Sequence, residues 1–231
     1  MTSKPKLLFW LNGFLMHFSL AYYFQSKIDA DFFGIIDINS KPKNFFEKQK
    51  LVNFKKNWYY HDYIDLNEKK PDIEYLINFE KKYNINLWKL ALNERYFYIH
   101  NRFYKFKKEE ILLILEQELK LFETILDEIK PDYFLTYNPV LHNQKLLLEL
   151  CRSKGIKVLN ACRTGIGDQT VIVEDAETFD LDLDKNINDV DVEYRQNNNY
   201  DLDQKNWIKD RSITFFEKLS GLKDYLFDSD N

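Results

Sequence analysis

The sequence predicts an α/β fold: a Rossmann-like three-layer domain with a mainly parallel sheet, a long core helix, and a C-terminal acidic linker followed by a helix. Three observations predict it. Short apolar runs of strand length alternate with helical patterns along the first two thirds of the chain. A long apolar stripe at helical spacing spans residues 107–130. The composition then turns acidic, which indicates a domain over 1–178, a linker over 179–204 and an amphipathic tail helix over 205–231.

The composition of the chain limits its class. Its 231 residues, 45% of them hydrophobic and 16% aromatic, can bury a substantial core. With 33 basic and 37 acidic residues the net charge is −4, so no basic field indicates nucleic acid as a partner. The only cysteines, Cys151 and Cys162, are too few for a disulfide framework, and they favour a reducing compartment.

The apolar stretch 7–24 admits three interpretations: a secretory signal, a membrane anchor, or a strand and a helix joined by a turn. Asn12, Gly13 and His17 interrupt the run, which is unfavourable for a signal or a spanning helix. The stretch therefore favours a strand over Leu7–Leu11, a turn at Asn12 and Gly13, and a helix over Phe14–Lys27. This interpretation keeps the protein in the cytoplasm, where it could also lie at the inner face of the membrane.

The remaining elements follow from apolar runs and from proline and glycine. The predicted strands are 31–38, 57–64, 132–138, 156–161 and 169–175, the last being either a strand or an extended exit. The predicted helices are 43–54, 72–83, 107–130 and 141–155, and Pro71, Pro131 and Gly155 mark their boundaries. The aromatic segment 85–106 has no clean period and predicts a mixture of helix and loop.

In an open parallel sheet, ligands bind at the carboxyl ends of the strands, and three loops are predicted to lie there. The first is Asn12-Gly13, either a simple tight turn or a close approach of backbone to ligand. The second runs from Asn138 to His142, where the imidazole is either a reacting group or an exposed or capping residue.

The third loop is "CRTGIGD", residues 162–168. Arg163 offers a fork of donors for a carboxylate, a phosphate or sugar hydroxyls, or else it binds backbone carbonyls of its own loop. The chain lacks GxGxxG and GxxxxGK[ST], so neither a dinucleotide nor a P-loop nucleotide site is predicted, and no cofactor is expected. No metal site is predicted either, because the calcium-like loop at 180–191 has Lys185 where glycine is required.

The segment "NERYFYIHNRFY", residues 93–104, mixes aromatic rings with charged groups. Such platforms suit the apolar faces and polar edges of sugar rings, and they also suit stacked bases. The alternative is an amphipathic helix that buries its aromatic residues, with Glu94 and Arg95 forming a structural ion pair.

Taken together, "KPDYFLTYN", "RSKGIKVLNACRTGIGDQTVIVED" and "NERYFY" resemble the surface-carbohydrate and capsule polysaccharide biosynthesis proteins of archaea and bacteria. Those proteins are glycosyltransferase-like and of the two-Rossmann-domain (GT-B) type, and the resemblance spans residues 6–178. It implies an N-terminal domain that holds a glycan acceptor. A nucleotide sugar would then bind only through a second domain or a partner, because the chain resembles only the first half of such enzymes.

The resemblance also implies roles for single residues. Glu94 is the first candidate for a general base toward an acceptor hydroxyl, and Asp37 is the second. The implied substrate-binding residues are Asn12, Gly13, Arg95, Asn138, His142, Arg163, Thr164 and Gly165.

Three hypotheses for function therefore stand. The first is the acceptor-side domain of a cell-surface glycan glycosyltransferase, which needs a donor domain for catalysis. The second is a non-catalytic α/β module that binds a carbohydrate or a protein. The third, a self-sufficient small-molecule enzyme, is less favoured because the sequence has no cofactor motif.

Overall fold

One sheet of six strands organises the described part of the chain. The computed structural model describes residues 4–13, 15–38, 43–67, 70–92, 94–98, 104–137, 139–163 and 170–174, which belong to one compact unit. The strands are β1 (Lys6–Asn12), β2 (Asp31–Asp37), β3 (Phe54–Tyr59), β4 (Tyr133–Tyr137), β5 (Lys157–Arg163) and β6 (Thr170–Val173). This arrangement confirms the α/β class and the mainly parallel sheet.

The strand order is β3-β2-β1-β4-β5-β6. All neighbouring pairs are parallel except β5 and β6, which run antiparallel. The chain adds strands outward from β1 to β3 and then returns to place β4 on the other side of β1. The order therefore reverses between β1 and β4, as it does in a Rossmann-like sheet.

Seven helices accompany the sheet in the described ranges. They are α1 (Met16–Gln25), α2 (Lys43–Lys48), α3 (Ile73–Tyr83), α4 (Leu87–Leu92), α5 (Arg95–Tyr98), α6 (Lys108–Ile129) and α7 (His142–Ser153). The helix α3 begins after Asp72, whose carboxylate accepts a hydrogen bond from the Tyr75 backbone N–H at 3.0 Å. The positive φ of Gly155, 73°, follows the end of α7 and confirms the predicted glycine terminus.

Helices cover both faces of the sheet because β1 is apolar on both sides. Leu7, Phe9 and Leu11 join a core cluster with residues of α1 and α2. Leu8 and Trp10 point the opposite way, into a second cluster with residues of α3, α4, α6 and α7. The stripe on α6 belongs to this second cluster, as its spacing predicts. The three layers are therefore helices, sheet and helices.

Two sequence predictions need correction, and a third is not tested by the described residues. The strand predicted over 57–64 begins earlier, at Phe54, and ends at Tyr59, because residues 60–63 turn into a short 3-10 helix. Cys162 and Arg163, expected in a loop, are the last residues of β5 and pair with β6. The predicted linker and tail helix lie outside the described residues.

Candidate functional site

A crevice is expected at the carboxyl ends of β1 and β4, where the strand order reverses. Asn12 ends β1 and Gly13 follows it in a turn, while Tyr137 ends β4. The neighbouring strand β2 contributes Asp37, which lies directly opposite Asn12 in the parallel register. The sheet thus brings three of the predicted site residues, Asn12, Gly13 and Asp37, to one edge.

His61 lies at the same edge, beside the end of β2. The sequence interpretation did not select this histidine. His61 lies in the 3-10 helix after β3, and its Nε2 is 3.0 Å from Asp37 Oδ1. The Asp37 side chain is 15% exposed and that of His61 is 38% exposed, so the pair borders solvent. A carboxylate in this position can accept hydrogen bonds from hydroxyl groups of a ligand.

The N-terminus of α1 opens toward the same edge. Its N-cap residue, Leu15, has a positive φ of 53° and provides no side-chain hydrogen bond to the first turn. The Leu15 backbone N–H donates to the Asn12 carbonyl at 3.3 Å, which ties the helix start to the end of β1. The first turn of α1 therefore has no side-chain acceptor at its cap, although Ser, Thr, Asp and Asn are the residues that usually provide one.

His17, in the first turn of α1, is the second residue that the sequence interpretation missed. Its side chain is buried, and neither ring nitrogen has a hydrogen-bond partner of good geometry among the described residues. Burial lowers its pKa, an effect that the backbone of Thr136 partly offsets, so the ring is neutral near pH 7. The His17 and Tyr137 rings lie 6.4 Å apart, which places the imidazole between α1 and the end of β4.

A second group of polar side chains lies in the interior, on the side of the sheet covered by α6 and α7. We call Tyr60, Glu94, Glu118 and His142 the buried cluster. His142 Nδ1 is 2.6 Å from Glu94 Oε2, and His142 Nε2 is 2.9 Å from Glu118 Oε1. The Tyr60 hydroxyl donates to the same Glu118 oxygen. One imidazole therefore bridges two carboxylates that come from different parts of the chain.

The protonation of this cluster follows from its hydrogen bonds. Burial alone would lower the pKa of His142, but the charge of Glu118 and the hydrogen bonds to both carboxylates raise it to about 10. Burial alone would raise the pKa of Glu94, but the hydrogen bonds from His142 and from the Tyr96 backbone lower it to about 2. His142 is therefore a cation and Glu94 an anion across the ordinary pH range.

Glu94 also caps α7. The N-cap residue Leu141 has no side-chain acceptor, and Glu94 Oε2 accepts the His142 backbone N–H at 2.7 Å in its place. Glu94 Oε1 accepts the Tyr96 backbone N–H at 3.0 Å. The carboxylate thus fixes the short helix α5 against the start of α7. This geometry gives Glu94 a structural role at the start of the aromatic run. The sequence alone left two alternatives for the segment: a binding platform, or a buried helix with an ion pair between Glu94 and Arg95.

The remaining predicted site residues are dispersed. Glu94 and His142 belong to the buried cluster, whereas the Arg95 side chain is exposed on α5. The ion-pair partner of Glu94 among the described residues is His142, not Arg95. Arg163 ends β5. Asn138, Thr164 and Gly165 lie outside the described residues. Asn12, Gly13 and Asp37 therefore lie at one edge of the sheet, Glu94 and His142 meet in the buried cluster, and the other described site residues lie apart from both groups.

Neither a protein-family model nor a curated protein sequence matches this chain. The described ranges contain no group of three or more His, Cys, Asp or Glu side chains placed to hold a metal ion. Within the same ranges no helix is both long enough and apolar enough to cross a membrane. The described residues define an α/β protein with a mainly parallel, Rossmann-like sheet whose strand order reverses between β1 and β4.

Proposed function

We propose that this chain is the acceptor-side domain of a glycosyltransferase-like protein of cell-surface polysaccharide synthesis, and that it binds a glycan at the crevice between β1 and β4. The observation that carries the proposal is His17: a neutral, buried imidazole whose ring nitrogens have no hydrogen-bond partner of good geometry among the described residues, beside the start of α1, whose cap residue offers no side-chain acceptor. A buried polar group without a partner is rare in folded proteins, and a catalytic role is one established reason for it.

The polar groups at the carboxyl ends of β1 and β2 match the chemistry of a sugar. The Asp37 carboxylate and the Asn12 amide can bind hydroxyl groups, which both donate and accept hydrogen bonds. The Tyr137 ring lies 6.4 Å from the His17 ring at the end of β4 and can cover an apolar face of the sugar ring. A small number of polar groups in a largely apolar crevice is the usual composition of a ligand site.

His17 supplies the base that acceptor chemistry requires. A neutral imidazole can take the proton from an acceptor hydroxyl while the hydroxyl oxygen bonds to the anomeric carbon of a donor sugar and the nucleotide leaves. The donor would come from a second domain or a partner chain. Both ring nitrogens are buried, so the protein atoms around them must move before an acceptor hydroxyl can reach His17.

Within this proposal Glu94 has a different role from the one the resemblance implies. Its carboxylate accepts hydrogen bonds from the Tyr96 backbone and from His142, and its pKa of about 2 makes it a weak base. We assign Glu94 to the support of His142 and α7, and Asp37 to hydroxyl binding. The alternative function, a non-catalytic binding module, is favoured by the exposed Tyr96 and Tyr98 rings on α5.

The test is a titration of the full chain with glycan acceptors and with nucleotide sugars, followed by NMR of nitrogen-labelled histidine. A glycan acceptor should shift the His17 signal, which is assigned from the loss of one resonance in His17→Gln, and should leave the His142 signal unchanged. Asp37→Asn should weaken binding about tenfold, equal to the loss of one charged hydrogen bond. The exposed substitution Tyr22→Phe on the same helix serves as the control.

Two other outcomes decide against the proposal. Tight binding of a nucleotide sugar, with no glycan bound, would overturn the acceptor-side assignment. Glycan binding that leaves the His17 signal unchanged would place the ligand elsewhere and favour the non-catalytic module.

A further inference from the structure

The outer side of α1 and the segment around α2 expose an unusual set of side chains. We call it the basic-aromatic face. Its aromatic and aliphatic members are Tyr22, Tyr23, Phe45 and Leu51, with exposed fractions of 54%, 56%, 41% and 56%. Its basic members, Lys27, Lys48 and Lys50, are exposed as well. Large exposed apolar side chains that lie together indicate an interaction surface, whereas isolated ones do not.

Ring contacts and hydrogen bonds connect the two halves of this face. The Phe45 ring lies 5.3 Å from Phe18 of α1, and Tyr22 follows Phe18 by one helical turn. One further turn along, the Gln25 side chain donates to the Leu51 carbonyl and accepts the Asn53 backbone N–H at 3.2 Å. The face therefore runs without interruption from Phe45 along α1 to Leu51.

The charge of this region is opposite to that of the whole chain. Residues 15–30 and 43–53 contain four lysines (Lys27, Lys43, Lys48 and Lys50) and two acids (Asp29 and Glu47), a balance of +2. The whole chain carries −4. Lys43 bonds to Asp62 at 2.8 Å and Asp29 to Lys4 at 2.6 Å, so both have partners outside the face. The three lysines of the basic-aromatic face thus outnumber its one acid, Glu47.

We propose that the basic-aromatic face binds the surface of an anionic lipid bilayer. Lysines attract anionic headgroups, and each one near the surface adds to the affinity. Tyrosine rings are apolar in the body and polar at the tip, which suits the boundary between headgroups and acyl chains. Lys27 Nζ lies 5.6 Å from the centre of the Tyr23 ring, so a cation and a ring already stand side by side.

A bilayer fits this face better than a protein partner does. Protein interfaces are depleted in lysine at their centres, whereas here Lys27 lies directly against an exposed aromatic side chain. The proposal does not depend on the proposed function, because no residue of the basic-aromatic face belongs to the crevice.

The test is sedimentation of the full chain with vesicles of phosphatidylcholine alone and with vesicles in which phosphatidylglycerol is about a third of the lipid. We expect binding to the anionic vesicles only, with release when NaCl is raised to about 0.5 M, where surface charges are screened. Lys27→Gln, Lys48→Gln and Lys50→Gln together should weaken binding at least tenfold. Tyr22→Ser with Leu51→Ser should weaken it severalfold.

The matched control removes three exposed lysines elsewhere: Lys81→Gln, Lys105→Gln and Lys130→Gln. It changes the net charge equally and should leave vesicle binding within about twofold, since surface charges beyond a Debye length are screened. An equal loss in the control would show that the face is not specific and would overturn the proposal. Absence of sedimentation would do the same. A dimer in analytical ultracentrifugation that the face substitutions abolish would assign the face to a second copy of the chain instead.

Discussion

Two histidines in this protein are almost equally buried, yet their surroundings are opposite. His142 bonds to a carboxylate through each ring nitrogen and is held as a cation. Among the described residues His17 has no hydrogen bond of good geometry, and burial lowers its pKa so that it is neutral near pH 7. Burial therefore does not define the role of a histidine; the partners around it do. The fully bonded ring stabilises the fold, and the ring without partners is the one that a ligand can use.

The largest expected effect comes from breaking the buried cluster. His142→Leu removes the only cation between Glu94 and Glu118 and leaves two buried carboxylates without it. We expect the free energy of unfolding to fall by about 3–5 kcal/mol, the usual cost of an uncompensated buried charge. Urea denaturation followed by circular dichroism measures this loss. A loss under about 1 kcal/mol would mean that the cluster contributes little, and its contrast with His17 would disappear.

The two rings should also give opposite pH dependence of stability. The folded pKa of His142, about 10, is above its unfolded value, so its contribution is complete below about pH 6.5 and is lost as the pH rises toward 10. The folded pKa of His17 is lowered, so its protonation favours the unfolded chain and stability falls as the pH drops below about 6.5. His142→Gln should flatten the alkaline change and His17→Gln the acid one. Denaturation midpoints over this pH range test both signs.

The sequence alone predicted the sheet much better than the polar groups around it. The apolar run of β1 and the stripe of α6 are local patterns, and both elements appear where the patterns place them. In the sequence Glu118 is one of several polar residues between the apolar positions of α6. Only the fold brings Tyr60 and His142 to its carboxylate. A contact that joins four separate segments leaves no signal in any one of them.

His17 shows a different limit of sequence interpretation. In the sequence, His17 argues only against a membrane span over the apolar run. No local pattern marks the histidine itself as a site residue. The signal that could have identified it was its place in the helix after the first strand, close to Gly13, because that is where such a sheet binds its ligands. The resemblance implies Asp37 only as a second candidate for the base, and the register places it opposite Asn12.

Replacing the unbonded ring tests the other side of the comparison. His17→Leu removes two buried ring nitrogens that have no well-aligned hydrogen-bond partner in the described part of the chain, and it keeps an apolar side chain in the same space. We expect a change in the free energy of unfolding within about 1 kcal/mol, because no hydrogen bond of good geometry is lost. The measurement is the same urea denaturation as for His142→Leu. A loss as large as the one from His142→Leu would show that His17 is bonded in solution and would remove the basis for its proposed role.

The smallest effect on stability is expected at the pair between Asp37 and His61. The two side chains border solvent, so Asp37→Asn should change the free energy of unfolding by under about 1 kcal/mol. The same substitution removes the carboxylate that we assign to hydroxyl binding. Stability and glycan affinity should therefore separate: little change in the denaturation midpoint, but about tenfold weaker binding. If Asp37→Asn lowers stability and glycan affinity together, Asp37 is a structural residue. If it lowers neither, Asp37 does not bind the hydroxyl groups of the acceptor.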